Sequence, residues 1–389
     1  MFENLAAPAP DALHAVMDRY RADTRPHKID LGVGVFRDEN GTSPIMKAVR
    51  EAELALAQEK GGTKAYLPLA GDPLFRDCMR KLIWNDADHG RIAAVQGTGG
   101  TGALRLAVDL VKFSAPLARV HLGLPSWPSH EGLAKIAGLE LVTHQYFDRE
   151  TASLDWPSIE VAANRARKND LFILHGPCHN PTGEDLSPEQ REALLAILRE
   201  RGAVPLIDAA YCGLGDGLDR DLEAIRRDVD GFDRAFIAFS CSKSFGLYRE
   251  RTGILFAITQ DAAEADIVQR QLERISRTLV SMPPSHGAAI VAHILQDEAL
   301  TQSWRVELDR MKSRIDTVRL ALGRLASDAP ALAKAAQGRG IFTLLPLSPD
   351  QVDRLASDSA IHMPGSGRIN ITGLKEGDAA RLATALQRI

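Results

Sequence analysis

The stretch Ala235-Phe236-Ile237-Ala238-Phe239-Ser240-Cys241-Ser242-Lys243-Ser244-Phe245-Gly246 runs from five apolar residues directly into a polar turn that carries a lysine. An unbroken apolar run of this length reads as a strand buried in a sheet. The chain has twelve lysines, most of them on charged helical faces or in polar loops, where a solvated ammonium is the ordinary reading. Lys243 differs, because no charged residue lies between Ala235 and Tyr248, and Arg251 follows eight positions on. A lysine at the end of a buried strand loses hydration, which lowers its pKa and leaves more free amine to attack a carbonyl. Covalent capture of an aldehyde cofactor is therefore the first chemistry to expect of it.

Outward from this stretch the same grammar repeats. Short apolar runs at 139–143, 170–175, 204–209 and 253–258 alternate with amphipathic stretches, which predicts an α/β fold with a mostly parallel sheet covered by helices on both faces. One helix has clear ends: Ser187 stands as N-cap, Pro188 at the first position, and Gln190 completes a capping box for a helix to Arg201. Asp297 is placed to cap a long helix reaching about Leu325. Beyond it, 341–345 and 368–372 read as strands and 377–388 as a last helix. A length of 389 residues exceeds one hydrophobic core. The expected division is an N-terminal arm with part of a small domain at 1–43, a large domain at 44–310, and the rest of the small α+β domain at 311–389.

Composition narrows the class. Apolar residues make up 45% and charged residues 25%, and the net charge is -4, which offers no basic surface for nucleic acid. The opening MFENLAAPAP lacks a basic region followed by an apolar one, and no run approaches a membrane span, so a cytoplasmic protein is expected. Cys78, Cys178, Cys212 and Cys241 are scattered, which favours reduced thiols over disulfides.

Three further segments carry chemistry. Gly97-Thr98-Gly99-Gly100-Thr101-Gly102 satisfies the GxGxxG spacing of a dinucleotide fold, with a helix expected over 103–112. A dinucleotide site also wants an acid about 20 residues on to bond the ribose, and His121-Leu122-Gly123-Leu124-Pro125 supplies none. What survives is a phosphate cradle in Gly99, Gly100 and Thr101, against the plain alternative of a tight turn into a helix. His175-Gly176-Pro177-Cys178-His179 could offer two imidazoles and a thiol to a metal, but the following Asn180-Pro181-Thr182-Gly183 turns tightly and aims Asn180 inward, so no metal site is expected. Asp208 ends the run 204–208, where it either caps a turn or pairs with a cation. On a pyridine cofactor it would keep the ring nitrogen protonated, Tyr211 would donate to the phenolic oxygen, and Trp127 would stack on the ring. Without Asp208 and Lys243, Tyr211 would read first as an ordinary half-buried core tyrosine, and packing at the domain seam is the alternative role for Trp127.

These segments together resemble one family, the class I aminotransferases that use pyridoxal phosphate, in particular those acting on aspartate and aromatic amino acids. GGTGALR (99–105), SWPSHE (126–131), CHNPTG (178–183), IDAAY (207–211), SCSKSFGLYRERTG (240–253), PPSHGA (283–288) and SGRINITG (366–373) occur in the family's order, and MFENLAAPAPDAL and DLGVGVFRDENG (30–41) are similar to its N-terminus. The resemblance implies fold type I of the pyridoxal-phosphate-dependent transferases, and ping-pong transfer of an amino group from aspartate, phenylalanine or tyrosine to 2-oxoglutarate.

It also implies roles. Lys243 carries the internal aldimine and, once released, shuttles the proton at the substrate α-carbon. Ser240, Arg251 and the amides of Gly99, Gly100 and Thr101 bind the phosphate, with Tyr66 reaching across from a second subunit of a homodimer. Asn180 and Tyr211 bond the phenolic oxygen, Asp208 the ring nitrogen, Trp127 stacks on the ring, and His130 supports Asp208. Arg368, with Gly34 and Asn180, grips the substrate α-carboxylate, and Arg277, five before Met282, meets a side-chain carboxylate from the neighbouring subunit. Met282, Phe36 and Ala65 depart from the residues common at those positions, which leaves room for aromatic substrates beside dicarboxylates. A nicotinamide dehydrogenase resting on GxGxxG, and a non-catalytic binding protein on the same fold, are the competing expectations.

Overall fold

The computed structural model describes residues 2–4, 12–59, 63–85 and 90–389; most of the N-terminal segment MFENLAAPAPDAL lies outside them. Its centre is a sheet of seven strands, β1 (Ile92–Thr98), β2 (Arg119–Leu124), β3 (Glu140–Gln145), β4 (Leu171–His175), β5 (Val204–Ala209), β6 (Ala235–Ser240) and β7 (Thr252–Ile258). Their order across the sheet is β1-β7-β6-β5-β4-β2-β3. From β6 to β3 all pairings are parallel, and only β7 runs against its two neighbours. Every residue of β5, β6 and β7 is buried. That is why these strands read as continuous apolar runs rather than as an alternation: both faces are covered.

The two faces divide the strand residues between them. Val95, Leu122, Ile173, Leu206, Ala238 and Leu255 pack with the helix Gly99–Ser114 and with Leu272 and Ile275. The alternate residues, among them Phe172, Ile207, Ile237 and Phe256, are equally buried and point the other way. The helix Pro188–Arg201 has the expected capping box, with Gln190 N–H donating to Ser187 Oγ at 3.2 Å and Gly202 closing its C-terminus in the left-handed region. Such a box is worth about 1 kcal/mol.

Three local expectations need correction. The helix after the glycines opens at Gly99 itself rather than at Ala103, so the glycines form its first turn. The strand expected over 368–372 stops at Asn370, whose side chain accepts from Thr372 N at 3.0 Å and turns the chain into a short 3-10 helix. Strands β1 and β2 were not anticipated; in β1, Ile92-Ala93-Ala94-Val95-Gln96-Gly97-Thr98, the small Ala93, Ala94 and Gly97 have low strand propensity and interrupt the apolar run. Its Gln96 is buried and accepts from Asp72 N while donating to Pro284 O, so the position is paid for by hydrogen bonds.

The chain divides into two compact units. The larger comprises Pro44–Asn180 and Glu184–Ser313; the smaller comprises the described residues up to Ser43, Pro181–Gly183 and Arg314–Ile389. The last boundary falls inside the long helix Glu298–Arg324, N-capped by Asp297. In the smaller unit, Ile29–Asp30 pairs with Ile361–His362, and Phe342–Leu344 pairs with Arg368–Asn370. No helix among the described residues is long and apolar enough to cross a membrane.

Candidate active site

At the carboxyl ends of β5 and β6 lies a cavity of about 220 Å³. Open α/β sheets place ligands at strand ends of this kind. Asp208, near the end of β5, and Lys243, three residues past β6, both line it. Lys243 sits in the four-residue helix Cys241–Ser244, which Ser240 caps by accepting from Ser242 N–H at 3.3 Å. This cap turns the chain at the strand's end and leaves Lys243 Nζ 4.9 Å from the centre of the Tyr211 ring. Burial pushes the amine below the ordinary lysine range; the Asp208 carboxylate opposes that shift and Arg251 adds to it. Among the described residues it is the one lysine lining the cavity.

Asp208 is held as an anion. Burial alone would raise its pKa, but the His130 hydrogen bond and the nearby Lys243 keep it below the usual carboxylate range. His130 Nε2 stands 2.9 Å from Asp208 Oδ2, Ser126 Oγ 2.9 Å from His130 Nδ1, and His175 Nε2 3.0 Å from the same Ser126 oxygen. With both imidazoles neutral, one proton assignment satisfies all three contacts: His175 N–H donates to Ser126, Ser126 O–H to His130, and His130 N–H to Asp208. His175 is driven far below its ordinary pKa by burial and by neighbouring His179 and His130, which agrees with a neutral donor at the end of the relay. Asp208 Oδ1, by contrast, is buried with no partner. An unsatisfied carboxylate oxygen at the floor of a cavity calls for a donor from a ligand.

The opposite wall is cationic. Arg251 lines it with a backbone φ of +52°, strained for a residue with a side chain, and its Nη1 reaches towards Ser242 Oγ at 3.5 Å. Gly99 opens the adjoining helix at φ +68°, and a Cβ there would stand 2.7 Å from Arg251 Nη2. Gly100, Thr101 and Ser240 line the same corner. Helix amides, two hydroxyls and a guanidinium converge there, which is the donor set of a phosphate site.

Asn180 and Trp127 complete the walls, and Asn180 Oδ1 has no partner. A flat aldehyde cofactor with a basic ring nitrogen and a phosphate fits this set: amine, bare carboxylate oxygen, aromatic wall and anion cradle each meet a complementary group.

Among the described residues no three His, Cys, Asp or Glu side chains are placed to share an ion. His175 is engaged with Ser126, and the Cys178 and His179 amides donate to the Asp185 carboxylate at 2.9 and 2.8 Å. The dinucleotide alternative fails on topology, because β1, which leads into the glycines, pairs only with antiparallel β7. A dinucleotide unit needs a parallel neighbour there.

The remaining expected residues lie elsewhere in the two units. Tyr66 is 87% exposed in the larger unit, where neighbouring Leu67 N–H donates to Met282 Sδ. Arg277, in the last turn of the helix Ala262–Val280, is also exposed. Gly34 and Arg368 belong to the smaller unit: Arg368 donates to Gly32 O at 2.8 Å and stacks over Phe342, whose ring would contact a Cβ at Gly34 at 3.2 Å. Ser126, His175 and Ser242 were not singled out as single residues from the sequence. The spacing of Ser126 four before His130, on either side of a helix start at Pro128, is the signal that could have found the relay.

The model of the family described as aminotransferase class I and II matches residues 26–386. The chain is 44% identical to a tyrosine aminotransferase of Rhizobium meliloti (strain 1021) over 98% of both proteins. It is 37% identical to an aspartate aminotransferase of Salmonella typhi over 99% of both. The fold is similar, at a TM-score of 0.95 and 35% identity, to an aromatic-amino-acid aminotransferase from Burkholderia pseudomallei covalently bound to pyridoxal phosphate, covering 100% of this chain and 99% of that one.

Proposed function

Because this chain belongs to the family of class I and II aminotransferases, we propose that it transfers the amino group of aspartate and of phenylalanine and tyrosine to 2-oxoglutarate in a ping-pong cycle. The observation that carries this reading is the Lys243 amine, lowered in pKa by burial and sharing one cavity with an ionised Asp208 whose Oδ1 is bare. Pyridoxal phosphate, when bound, supplies an aldehyde that captures amines and a ring that withdraws electrons.

The chain's own residues then do the following. Lys243 holds the cofactor and, once displaced by substrate, takes and returns the proton at the substrate α-carbon. Asp208, backed by the relay through His130, keeps the ring nitrogen protonated. Tyr211 and Asn180 donate to the phenolic oxygen, Trp127 covers the ring, and Gly99, Gly100, Thr101, Ser240 and Arg251 hold the phosphate. Arg368, with Gly34 and Asn180, receives the substrate α-carboxylate, a task suited to a planar two-pronged donor.

Tyr66 and Arg277 serve the site of a second copy, so the working unit is a homodimer. Their exposure within one chain and the link between Leu67 and Met282 support this role. A cytoplasmic location accords with four free cysteines, three of them buried.

A donor panel tests the substrate range: kcat/KM for aspartate, phenylalanine and tyrosine with 2-oxoglutarate. Arg277→Leu should cut kcat/KM for aspartate by roughly 10- to 100-fold, the value of a charged hydrogen bond, and leave phenylalanine within about threefold. Equal losses for both donors would remove Arg277 from the substrate pocket.

A further inference from the structure

Arg319 is 4% exposed, on the helix Glu298–Arg324, and its guanidinium is turned towards backbone carbonyls. Nη2 donates to Arg339 O at 2.8 Å, Gly340 O at 2.6 Å and Phe342 O at 2.8 Å; Nε donates to Gly340 O at 3.2 Å, and Nη1 to Ala335 O. The loop gathered in this way holds something else. Arg339 N–H donates to Gly183 O at 2.7 Å, and Gly183, at φ +70°, lies so close that a Cβ would stand 2.2 Å from Phe342 O. Gly183 ends the turn that begins at Asn180.

Asn180 is therefore bracketed. On its N-terminal side the Cys178 and His179 amides are fixed by Asp185. On its C-terminal side only Pro181 and Thr182 separate it from Gly183, and proline removes most of the slack. Asn180 lines the cavity from this turn and its Oδ1 makes no hydrogen bond, so a shift of the turn's backbone carries its side chain with it.

We propose that Arg319 is a positioning residue for the transamination site: by fixing the loop that grips Gly183 it aims the Asn180 amide at the cofactor's phenolic oxygen. This inference rests on the reading of Asn180 given above. An N–H donated to that oxygen draws off the charge with which it would otherwise hold a nearby proton. A misaimed amide therefore leaves the proton more tightly held, and its pKa rises.

The test is a pH titration of the visible absorbance of the holoenzyme. Arg319→Lys keeps charge and length but loses the planar fork, and Arg319→Gln is the second variant if the lysine form folds poorly. The control is Arg314→Lys. Arg314 lies on the same helix and also donates to carbonyls, Arg37 O at 2.9 Å and Leu374 O at 2.8 Å, but grips no part of the turn. The expected result is a midpoint raised by about half a unit to one unit in the Arg319 variants, as befits one hydrogen bond, and an unshifted midpoint in Arg314→Lys. A wild-type midpoint in Arg319→Lys and Arg319→Gln overturns the inference. So does an equal shift in Arg314→Lys, which would mark general loosening of the smaller unit. A wild-type holoenzyme without a titrating visible band would instead bring down the underlying reading of the site.

Discussion

Lys243→Ala should lower kcat by about 10⁴-fold or more while the protein still folds and still binds pyridoxal phosphate. The size follows from two lost roles, holding the cofactor covalently and moving the proton at the substrate α-carbon, the second alone worth roughly 10²- to 10⁴-fold. No other lysine among the described residues lines the cavity to take over either task. Folding should survive, because the removed amine lies at a cavity wall and its neighbours Cys241, Ser242, Ser244 and Phe245 are buried independently of it. Retention of the cofactor follows from the separate phosphate corner around Arg251 and Gly99. Single-turnover absorbance with glutamate measures the loss. A variant keeping a tenth of wild-type turnover would show that the amine is not the proton carrier.

Asp208→Asn should cost about 10²- to 10³-fold in kcat, the scale of removing one preorganised charge from a dry site. The relay from His175 through Ser126 and His130 ends on Asp208 Oδ2, so the other oxygen keeps its charge for a ligand. An amide in its place carries no charge to hold a ring proton. The same substitution has a signed effect on Lys243. The Asp208 carboxylate raises the lysine pKa against the larger lowering by burial, so removing it lowers that pKa further. Capture of pyridoxal phosphate by the apoenzyme requires the free amine. Its rate should climb with pH through a midpoint below the ordinary lysine value, and that midpoint should move to lower pH in Asp208→Asn. Because the folded-state pKa of Asp208 is depressed, the carboxylate stays ionised until acid pH, and the wild-type profile should show no limb from it near neutrality. An upward move of the capture midpoint in Asp208→Asn would contradict the electrostatic coupling.

The sheet was legible where burial on both faces forced apolar runs. Strands β5 and β6 have the bounds 204–209 and 235–240 that the sequence led one to expect, and the helix Pro188–Arg201 announces both its ends through Ser187, Gln190 and Gly202. Strand β1 was not legible, because its glycine, glutamine and alanines are chosen for close packing and for hydrogen bonds to distant segments at Asp72 and Pro284. Those partners are invisible at short range. The site divides along the same line. Lys243, Asp208 and Asn180 stand at strand ends or in a turn, positions that local pattern reveals, and they meet in one cavity. The Ser126–His175 contact joins residues 49 apart, and the Arg319 carbonyl cluster gathers the short helix Ala333–Gln337, the loop at 338–341 and the start of the strand Phe342–Leu344, a convergence that no local pattern announces. The positive φ of Arg251, which turns its guanidinium towards Gly99, has no sequence signal because strain of this kind is imposed by the surrounding fold.

The most direct measurement is borohydride reduction of the purified holoenzyme followed by proteolysis and mass mapping of the pyridoxyl group. One modified peptide is expected, carrying the added mass on Lys243 within Ser242-Lys243-Ser244. A pyridoxyl group found on another lysine, or on none, would contradict the assignment to Lys243.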